Sequence, residues 1–283
     1  MSYEKQLEVA MQAATAAGQE IEKFFLRHFE ERARFALDKK ESRDSSSEDD
    51  RLIEDMLKDL LMDDEFANYS WYGEEYADRR EAKFEWVVDP TDGTTQKALG
   101  IPYFSISIAL VDKEKHETLV GVVFNPITGE MYHATKGGGA FYKNIKTCHD
   151  HRLKVSDSME FRQLIAITNP NMDIPETINV SSRIWLALNE HFRIVPVMFS
   201  TALDMTKIAD GLAGVLVCPR TAPYDHTAGA LIVEEAGGIV VGADSRKFDP
   251  LSRGCVAVNN KAALEELKRA KIFEILDGLK SSD

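Results

Sequence analysis

Cysteine is scarce in this chain of 283 residues. Cys148, Cys218 and Cys255 are an odd number, and no two of them form a CxxC pair. This spacing argues against both a disulfide framework and a zinc site. The sequence also lacks an apolar run of transmembrane length, and its first residues lack the basic flank and apolar core of a secretory signal. We therefore expect a cytoplasmic protein with no membrane partner.

Basic residues are also few relative to acidic ones. Lysine and arginine total 34 against 47 aspartates and glutamates, which gives a formal net charge of −13. Because no basic stripe offsets this charge, nucleic acid is not an expected partner. Hydrophobic residues make up 44% of the chain, enough to build a sizeable core. The composition therefore agrees with a compact soluble protein.

The most informative pattern is a short apolar run that ends in two carboxylates. Residues 86–95 read WVVDPTDGTT, with Asp89 and Asp92 three positions apart. A β-branched and aromatic run followed by Pro and Gly predicts a buried strand and a sharp turn, which brings the two carboxylates together. Like charges at such close range require a proton or a cation between them. Hard oxygen ligands favour Mg²⁺, Mn²⁺ or Ca²⁺.

The turn that follows these carboxylates is suited to an anion. Gly93, Thr94 and Thr95 offer backbone N–H groups and hydroxyls, and the dipole of a helix starting there also favours a phosphate oxygen. Asp, Pro, Gly and Thr are also the residues that ordinary turns prefer, so residues 86–95 alone are compatible with a simple turn.

Two further acidic motifs favour the metal interpretation. Glu74 and Glu75 follow Gly73 upstream of the predicted strand, and Asp225 opens an apolar helical pattern that stops at residues 237–238, which are both Gly. Taken alone, the glutamates are compatible with a solvated loop pair, and Asp225 with a helix N-cap. The order of the three motifs is more specific than any one of them.

GEE, then DPxDGT, then D-x-x-A-G resembles the inositol monophosphatase family of Mg²⁺-dependent, lithium-sensitive phosphatases. The resemblance extends from Lys39 to residues 237–238. It implies an α/β fold, a layered α-β-α-β-α sandwich of the inositol monophosphatase/fructose-1,6-bisphosphatase type. It also implies two or three Mg²⁺ ions, with Mn²⁺ as a substitute, and a homodimer.

The resemblance assigns roles to individual positions. Its metal ligands are Glu74, Asp89, the carbonyl of Thr91, Asp92 and Asp225. Its catalytic residues are Thr94, Asp50, Glu74 and Asp92. Thr94 would hold the attacking water, and Asp50 would pair with that threonine. Its phosphate- and substrate-binding residues are Gly93, Thr94, Thr95, Ser200, Thr201, Cys218 and Asp225. Lys39 stands where the family keeps a lysine near the site, and Asp50 is also compatible with the acidic first turn of a helix.

Three departures from the family pattern affect substrate recognition or the rim of the site. Cys218 replaces a glutamate that holds ring hydroxyls in the inositol-type members, and a thiol is a poor acceptor. Phe199 stands in place of a glycine before Ser200, and Lys97 in place of a phenylalanine. Arg220 has two interpretations, a partner for a second phosphate or carboxylate of the ligand, or a solvated loop arginine.

The sequence therefore predicts a Mg²⁺-dependent phosphomonoesterase that uses metal-activated water on a small phosphorylated metabolite. Inositol monophosphate is the favoured substrate. Fructose 1,6-bisphosphate, histidinol phosphate and 3′-phosphoadenosine 5′-phosphate are alternatives within the superfamily. A catalytically silent sensor of a phosphorylated ligand is the alternative outside enzymes.

We expect two halves in one compact unit. Residues 1–150 form an α+β half with the GEE and DPTDGT motifs, and residues 151–283 form an α/β half with Asp225 and the substrate pocket. In the second half, the patterns predict a strand over Ile194–Met198 and one final helix over Lys261–Leu279.

Overall fold

A computed structural model describes residues 3–35, 41–63, 65–78, 80–170 and 175–278. Lys39 lies outside these residues, so its proposed place near the site stays a prediction. The helices are α1 (Glu4–Phe35), α2 (Glu41–Leu61), α3 (Thr94–Leu99), α4 (Pro175–His191), α5 (Thr201–Ala209), α6 (Pro223–Glu235), α7 (Lys261–Arg269) and α8 (Ile272–Asp277).

The strands form two sheets within the described residues. They are β1 (Ser70–Gly73), β2 (Ala77–Asp78), β3 (Phe84–Asp92), β4 (Ser105–Asp112), β5 (Glu117–Asn125), β6 (Glu130–Thr135), β7 (Gly139–Asn144), β8 (Asp150–Arg152), β9 (Ala166–Thr168), β10 (Val215–Cys218), β11 (Ile239–Gly242) and β12 (Cys255–Val258). The first sheet has the order β2-β1-β3-β4-β5-β6-β7-β8, and the second has the order β11-β12-β10-β9. The change of sheet falls between Arg152 and Ala166, near the predicted boundary, while the division into two halves stays a prediction.

The helices cover both sheets in layers. Helices α1 and α2 pack on one face of the first sheet, and α5 and α6 fill the space between the two sheets. Helices α4, α7 and α8 cover the outer face of the second sheet. The predicted α-β-α-β-α sandwich is therefore confirmed. Among the described residues, no helix combines the length and the apolar character needed to cross a lipid bilayer.

Alternation along the strands explains why each sheet is covered on both faces. In β3, Trp86 and Val88 pack in the cluster under α1 and α2, whereas Val87 packs in the cluster with α5 and α6. Successive side chains of a strand point to opposite faces, and each such buried residue contributes about 1.5–3 kcal/mol. Gly121 in β5 lets α6 approach closely, because a Cβ there would lie 2.6 Å from the carbonyl oxygen of Ala228.

Two local predictions for the second half are wrong. Residues 194–198 form no strand in the described structure. Ile194 makes an isolated bridge to Ile165, and Pro196 has no N–H to donate to a ladder. The final helix is divided into α7 and α8, because Lys271 adopts a left-handed conformation with φ 58°.

Candidate active site

The end of β3 places two carboxylates beside each other. Asp89 pairs with Ser107 of β4 and Asp92 pairs with Ser105, with a shift of register between the two pairs. Such a bulge re-aims the side chains of the strand. Gly93 then turns the chain with φ 99° and serves as the N-cap residue of α3. This conformation favours glycine, so the turn depends on the residue type at this position.

The third carboxylate comes from the first turn of α6. Asp225 is the third residue of that helix, and its Oδ2 accepts a hydrogen bond from the backbone N of Ala222 at 2.8 Å. The interpretation of Asp225 as the helix N-cap is therefore wrong, because Ala222 holds that position and Asp225 accepts from its N–H as the third helical residue. The same side chain also joins Asp89 and Asp92, since one oxygen from each of the three lies within 4.8 Å of the others.

A fourth carboxylate, that of Glu74, lies at the mouth of the cluster on a loop that Glu54 holds in place. The sequence motifs did not reveal this role of Glu54. Glu54 of α2 is fully buried and accepts hydrogen bonds from the indole N–H of Trp71 and the backbone N–H groups of Glu75 and Tyr76. These bonds fix the loop that presents Glu74. The signal in the sequence was a glutamate next to Ile53 on the apolar face of a predicted helix.

The packing of these acids raises their pKa values. Burial raises the pKa of Asp89 well above its ordinary value, and the charges of Glu74, Asp92 and Asp225 add to the effect. Burial and the charge of Asp92 do the same for Asp225. Glu74 is exposed as a residue, yet loss of water around its carboxyl group, followed by the charge of Asp50, raises its pKa to about 7. The cluster is therefore poorly suited to carry its full negative charge alone.

These properties fit a hard divalent cation. All four side chains offer carboxylate oxygens, and the cluster combines negative charge with a partly enclosed position, which are the properties that a hard divalent cation requires. A cation there would relieve the repulsion that otherwise raises the pKa values. The family-based ligand set, including the carbonyl of Thr91, stays a proposal.

Metal-free protein should lose stability as the pH rises. The acids of the cluster have higher pKa values in the folded than in the unfolded chain. Their contribution to the stability of the fold is therefore fully present below their ordinary pKa values of 3.8 to 4.5. It is lost as the pH passes through about 6 for Asp92 and about 7 for Glu74. We expect the melting temperature in chelator to fall from pH 5 to pH 8, and Mg²⁺ to stabilise more at pH 8. Calorimetry checks this, and a melting temperature that rises over the same range would contradict it.

Asp92 is anchored by the start of α5. Its Oδ2 accepts hydrogen bonds from the Ser200 hydroxyl at 2.6 Å and from the Ala202 N–H at 2.8 Å, and its Oδ1 accepts one from the Thr201 N–H at 3.1 Å. Ser200 is fully buried. The sequence predicts that Ser200 contacts the substrate. In the structure its hydroxyl instead donates to the carboxylate of Asp92.

Asp50 does not bond to Thr94 in the described structure, which differs from the pairing that the sequence predicted. Its Oδ1 accepts hydrogen bonds from the Thr91 hydroxyl, at 2.8 Å, and from the ammonium group of Lys97. Thr94 donates its hydroxyl proton to the carbonyl of Thr91 at 3.1 Å. Thr91 therefore stands between Asp50 and Thr94, because its hydroxyl donates to Asp50 and its carbonyl accepts from Thr94. No motif indicated Lys97 as the partner of this carboxylate.

Cys218 lies in the core of the second sheet. It is fully buried opposite Cys255 of the neighbouring strand, and burial raises the pKa of its thiol well above the ordinary value. It is not among the described residues that line the cleft. The structure therefore does not bring Cys218 to the lining of the cleft, because β10 turns this side chain into the cluster between the sheets.

The cleft itself has a volume of about 460 Å³ and opens beside the carboxylates. Nine residues predicted for the site line it, and these are Glu74, Asp89, Thr91, Asp92, Gly93, Thr94, Thr95, Thr201 and Asp225. Asn169, which the motifs missed, also lines it and donates to Thr201 at 3.2 Å and to the buried Asp204 at 2.6 Å. Its signal was a polar residue directly after β9 and before a proline.

Phe199 occupies the cleft in a left-handed conformation with φ 60°. We expect Phe199→Gly to be more stable than Phe199→Ala by about 1 kcal/mol, because both remove the ring and only alanine keeps the backbone strain. Urea denaturation of the two variants measures the difference. Leu212→Gly and Leu212→Ala are the control pair at an exposed residue without positive φ, where glycine should be the less stable. An alanine variant as stable as the glycine variant at residue 199 would contradict the strain.

The layered fold and the acidic, hydroxyl-lined cleft define a class of α/β phosphatases. A model of the inositol monophosphatase family matches residues 2–274, and the chain belongs to this family. The chain is thus a phosphoric monoester hydrolase of a metal-dependent family.

Curated relatives and solved structures agree with this assignment. Inositol-1-monophosphatase of Rhizobium meliloti is 31% identical over 265 residues, which cover 93% of this chain and 94% of that protein. A protein of Aquifex aeolicus named fructose-1,6-bisphosphatase/inositol-1-monophosphatase is 30% identical over 240 residues, with 83% of this chain and 84% of that protein covered. An inositol monophosphatase from Zymomonas mobilis has the same fold, with a TM-score of 0.79 at 21% identity over 98% of this chain and 99% of that chain.

Proposed function

We propose that the chain is a Mg²⁺-dependent phosphomonoesterase that hydrolyses a small phosphorylated metabolite by direct attack of water. The observation that supports this most is the convergence of Asp89, Asp92 and Asp225 within 4.8 Å, in the same cleft as the Gly93-Thr94 turn. Carboxylates and phosphate-binding N–H groups in one cleft are what a metal-assisted phosphoryl transfer requires.

Glu74, Asp89, Asp92, Asp225 and the carbonyl of Thr91 would hold the metal. When bound, Mg²⁺ supplies charge neutralisation of the phosphate and activation of a water molecule. Glu54 and Ser200 keep two of these ligands in place from behind. This arrangement orients the ligands before substrate arrives.

Thr94 would orient the attacking water. Its only hydroxyl proton is donated to the Thr91 carbonyl, so its lone pairs can accept a hydrogen bond from a water molecule. Asp50 would act through Thr91, as a positioning residue that accepts a hydrogen bond from the Thr91 hydroxyl. The backbone N–H groups of Gly93 and Thr94 would bind phosphate oxygens as their charge increases.

Inositol monophosphate is the first candidate substrate, on the basis of the family. Fructose 1,6-bisphosphate is the second, because Arg220 and Arg253 line the cleft and the Aquifex aeolicus relative carries that activity in its name. Histidinol phosphate and 3′-phosphoadenosine 5′-phosphate complete the set. Lithium inhibition, a homodimer and a cytoplasmic location are further proposals from the sequence and the family.

The test is phosphate release from these four esters in Mg²⁺ and in chelator. Metal-dependent release from one of them would support the proposal and identify the substrate. A folded protein that binds Mg²⁺ and releases phosphate from none of the four would overturn it in favour of the sensor, which needs no residue to orient water.

The Thr94→Ala variant separates water activation from metal binding. We expect a loss in kcat of about 100-fold at an unchanged Mg²⁺ requirement, because the hydroxyl orients the water and is not a ligand. Steady-state kinetics at several Mg²⁺ concentrations measure both quantities. Thr147→Ala, at an exposed turn outside the cleft, is the matched control. Near-normal kcat in Thr94→Ala would remove Thr94 from the mechanism.

A further inference from the structure

A buried asparagine connects the cleft to the start of α5. Asn169 directly follows β9, lines the cleft and is 5% exposed. Its backbone N–H donates to the carbonyl of Val217 at 3.3 Å, which continues the parallel pairing of β9 with β10. The backbone of Asn169 is therefore fixed by the second sheet, and its side chain reaches from the carboxyl end of β9 to another element.

That side chain forms three hydrogen bonds with one segment of the chain. Its Oδ1 accepts from the N–H of Phe199 at 3.1 Å. Its Nδ2 donates to the hydroxyl oxygen of Thr201 at 3.2 Å and to Oδ2 of Asp204 at 2.6 Å. The partners determine the orientation of the amide, because only its oxygen accepts from an N–H and only its nitrogen donates to a carboxylate. Both amide hydrogens are therefore used.

Asp204 extends this connection to the first sheet. It is fully buried in the first turn of α5, and its Oδ1 accepts a hydrogen bond from the Tyr103 hydroxyl at 2.7 Å. Tyr103 lies just before β4, and a Cβ on Gly93 would lie 3.1 Å from its carbonyl oxygen. Burial raises the pKa of Asp204 to about 7, and the hydrogen bonds from Tyr103 and Asn169 oppose this rise. The charge of this carboxylate therefore depends on both donors.

The segment that Asn169 contacts is also the one that anchors Asp92. The carboxylate of Asp92 accepts from the Ser200 hydroxyl and from the N–H groups of Thr201 and Ala202. Asn169 bonds to the residues on both sides of Ser200. A displacement of this segment would move all three donors, and the carboxylate that they orient would move with them.

We propose that Asn169, paired with Asp204, is a positioning residue that orients Asp92 for metal binding through the start of α5. The inference rests on the proposed function, because the metal role of Asp92 belongs to that proposal. Residues that orient a metal ligand without touching the metal typically contribute about 10–100-fold in metal affinity or activity. Asn169 acts one step further from the metal, so we expect an effect near the lower end of that range.

Mg²⁺ titrated into the full chain tests this role without catalysis. Calorimetry at pH 8, where Asp204 is ionised, should give a Kd for Mg²⁺ that is about tenfold higher in Asn169→Ala than in wild type. Asn259→Ala is the matched control. Asn259 is also a buried asparagine, its Nδ2 donates to the carbonyls of Ser156 and Ser158, and it does not line the cleft. This control should lose stability and keep the Mg²⁺ affinity of wild type.

An exchange of the two side chains tests the pair itself. Asn169→Asp keeps the shape of the side chain but replaces the donor by a second carboxylate beside Asp204, so it should weaken Mg²⁺ binding by at least about tenfold. Adding Asp204→Asn to this variant restores one donor and one acceptor, and the new amide oxygen can still accept from Tyr103. We expect the exchanged chain to recover most of the Mg²⁺ affinity. This comparison also decides the question if Asn169→Ala does not fold.

The outcomes separate this role from the proposed function. Wild-type Mg²⁺ affinity in Asn169→Ala, or an equal loss of affinity in Asn259→Ala, would overturn the positioning role and leave the phosphatase proposal intact. An exchanged chain that binds Mg²⁺ no better than Asn169→Asp would overturn the pairing with Asp204. Mg²⁺ binding by a wild type that releases phosphate from none of the four esters would overturn the phosphatase proposal alone, because the titration would still measure the effect of Asn169. A wild type that binds no Mg²⁺ would contradict both.

Discussion

Asp89→Asn should reduce turnover by orders of magnitude while leaving the fold intact. Asp89 is 2% exposed at the centre of the cluster, between Glu74, Asp92 and Asp225. Its amide replacement keeps the shape but loses the negative charge and half of the oxygen ligands. We expect kcat to fall by at least about 100-fold in Mg²⁺, because the residue is a direct ligand in the proposed site.

The same variant should be no less stable than wild type without metal. One of its side-chain atoms accepts the Thr91 N–H at 2.8 Å, and the Asn carbonyl can keep that bond. Removal of one buried charge also lowers the repulsion among the remaining acids. Mg²⁺ should raise the melting temperature of wild type and raise that of Asp89→Asn much less.

Kinetics and melting curves with and without Mg²⁺ measure these effects together. Asp157→Asn, an exposed aspartate outside the cleft, is the matched control and should behave as wild type. Near-normal turnover in Asp89→Asn would place the catalytic metal elsewhere. Loss of the fold in chelator would mean that Asp89 has a structural role that its contacts do not show.

The part of the site that the sequence predicted is the part that is local in the chain. Asp89 and Asp92 belong to one strand end, and the alternation around Val87 and Val88 determines which face that strand buries. Asp225 follows from a helix start. Such features depend on neighbours a few residues away, so a pattern in the sequence is sufficient to find them.

The part that the sequence missed depends on contacts between distant elements. Glu54, in helix α2, holds the loop that carries Glu74. Asn169 donates hydrogen bonds to Thr201 and to Asp204, which lies 35 residues further along the chain. Side chains that bond through space leave no periodic signal. Cys218 matches a substrate-binding position of the family in the sequence. Such a match does not determine whether the side chain points to the cleft or to the other side of the strand.

Lys97→Met is expected to have the largest effect on stability of the changes considered. The Lys97 and Asp50 side chains are each only 6% exposed and form an ion pair. Lys97 also donates to the Thr91 hydroxyl at 3.3 Å. Methionine fills a similar volume, but it leaves Asp50 buried with one neutral donor, which costs about 3–5 kcal/mol. Urea denaturation measures this loss, and Lys268→Met is the control, since it breaks an exposed pair with Glu265 and should change stability little.

The pH dependence and a double variant identify the cause of that loss. Burial already raises the pKa of Asp50, and the charge of Lys97 opposes the rise. Without the lysine the folded pKa rises further, so the destabilisation should be large at pH 8 and smaller at pH 5, where Asp50 can take up a proton. Asp50→Asn combined with Lys97→Met removes both charges and should recover most of the lost stability. A loss that is equal at both pH values and persists in the double variant would contradict an unpaired carboxylate as the cause and assign the effect to packing of the lysine stem.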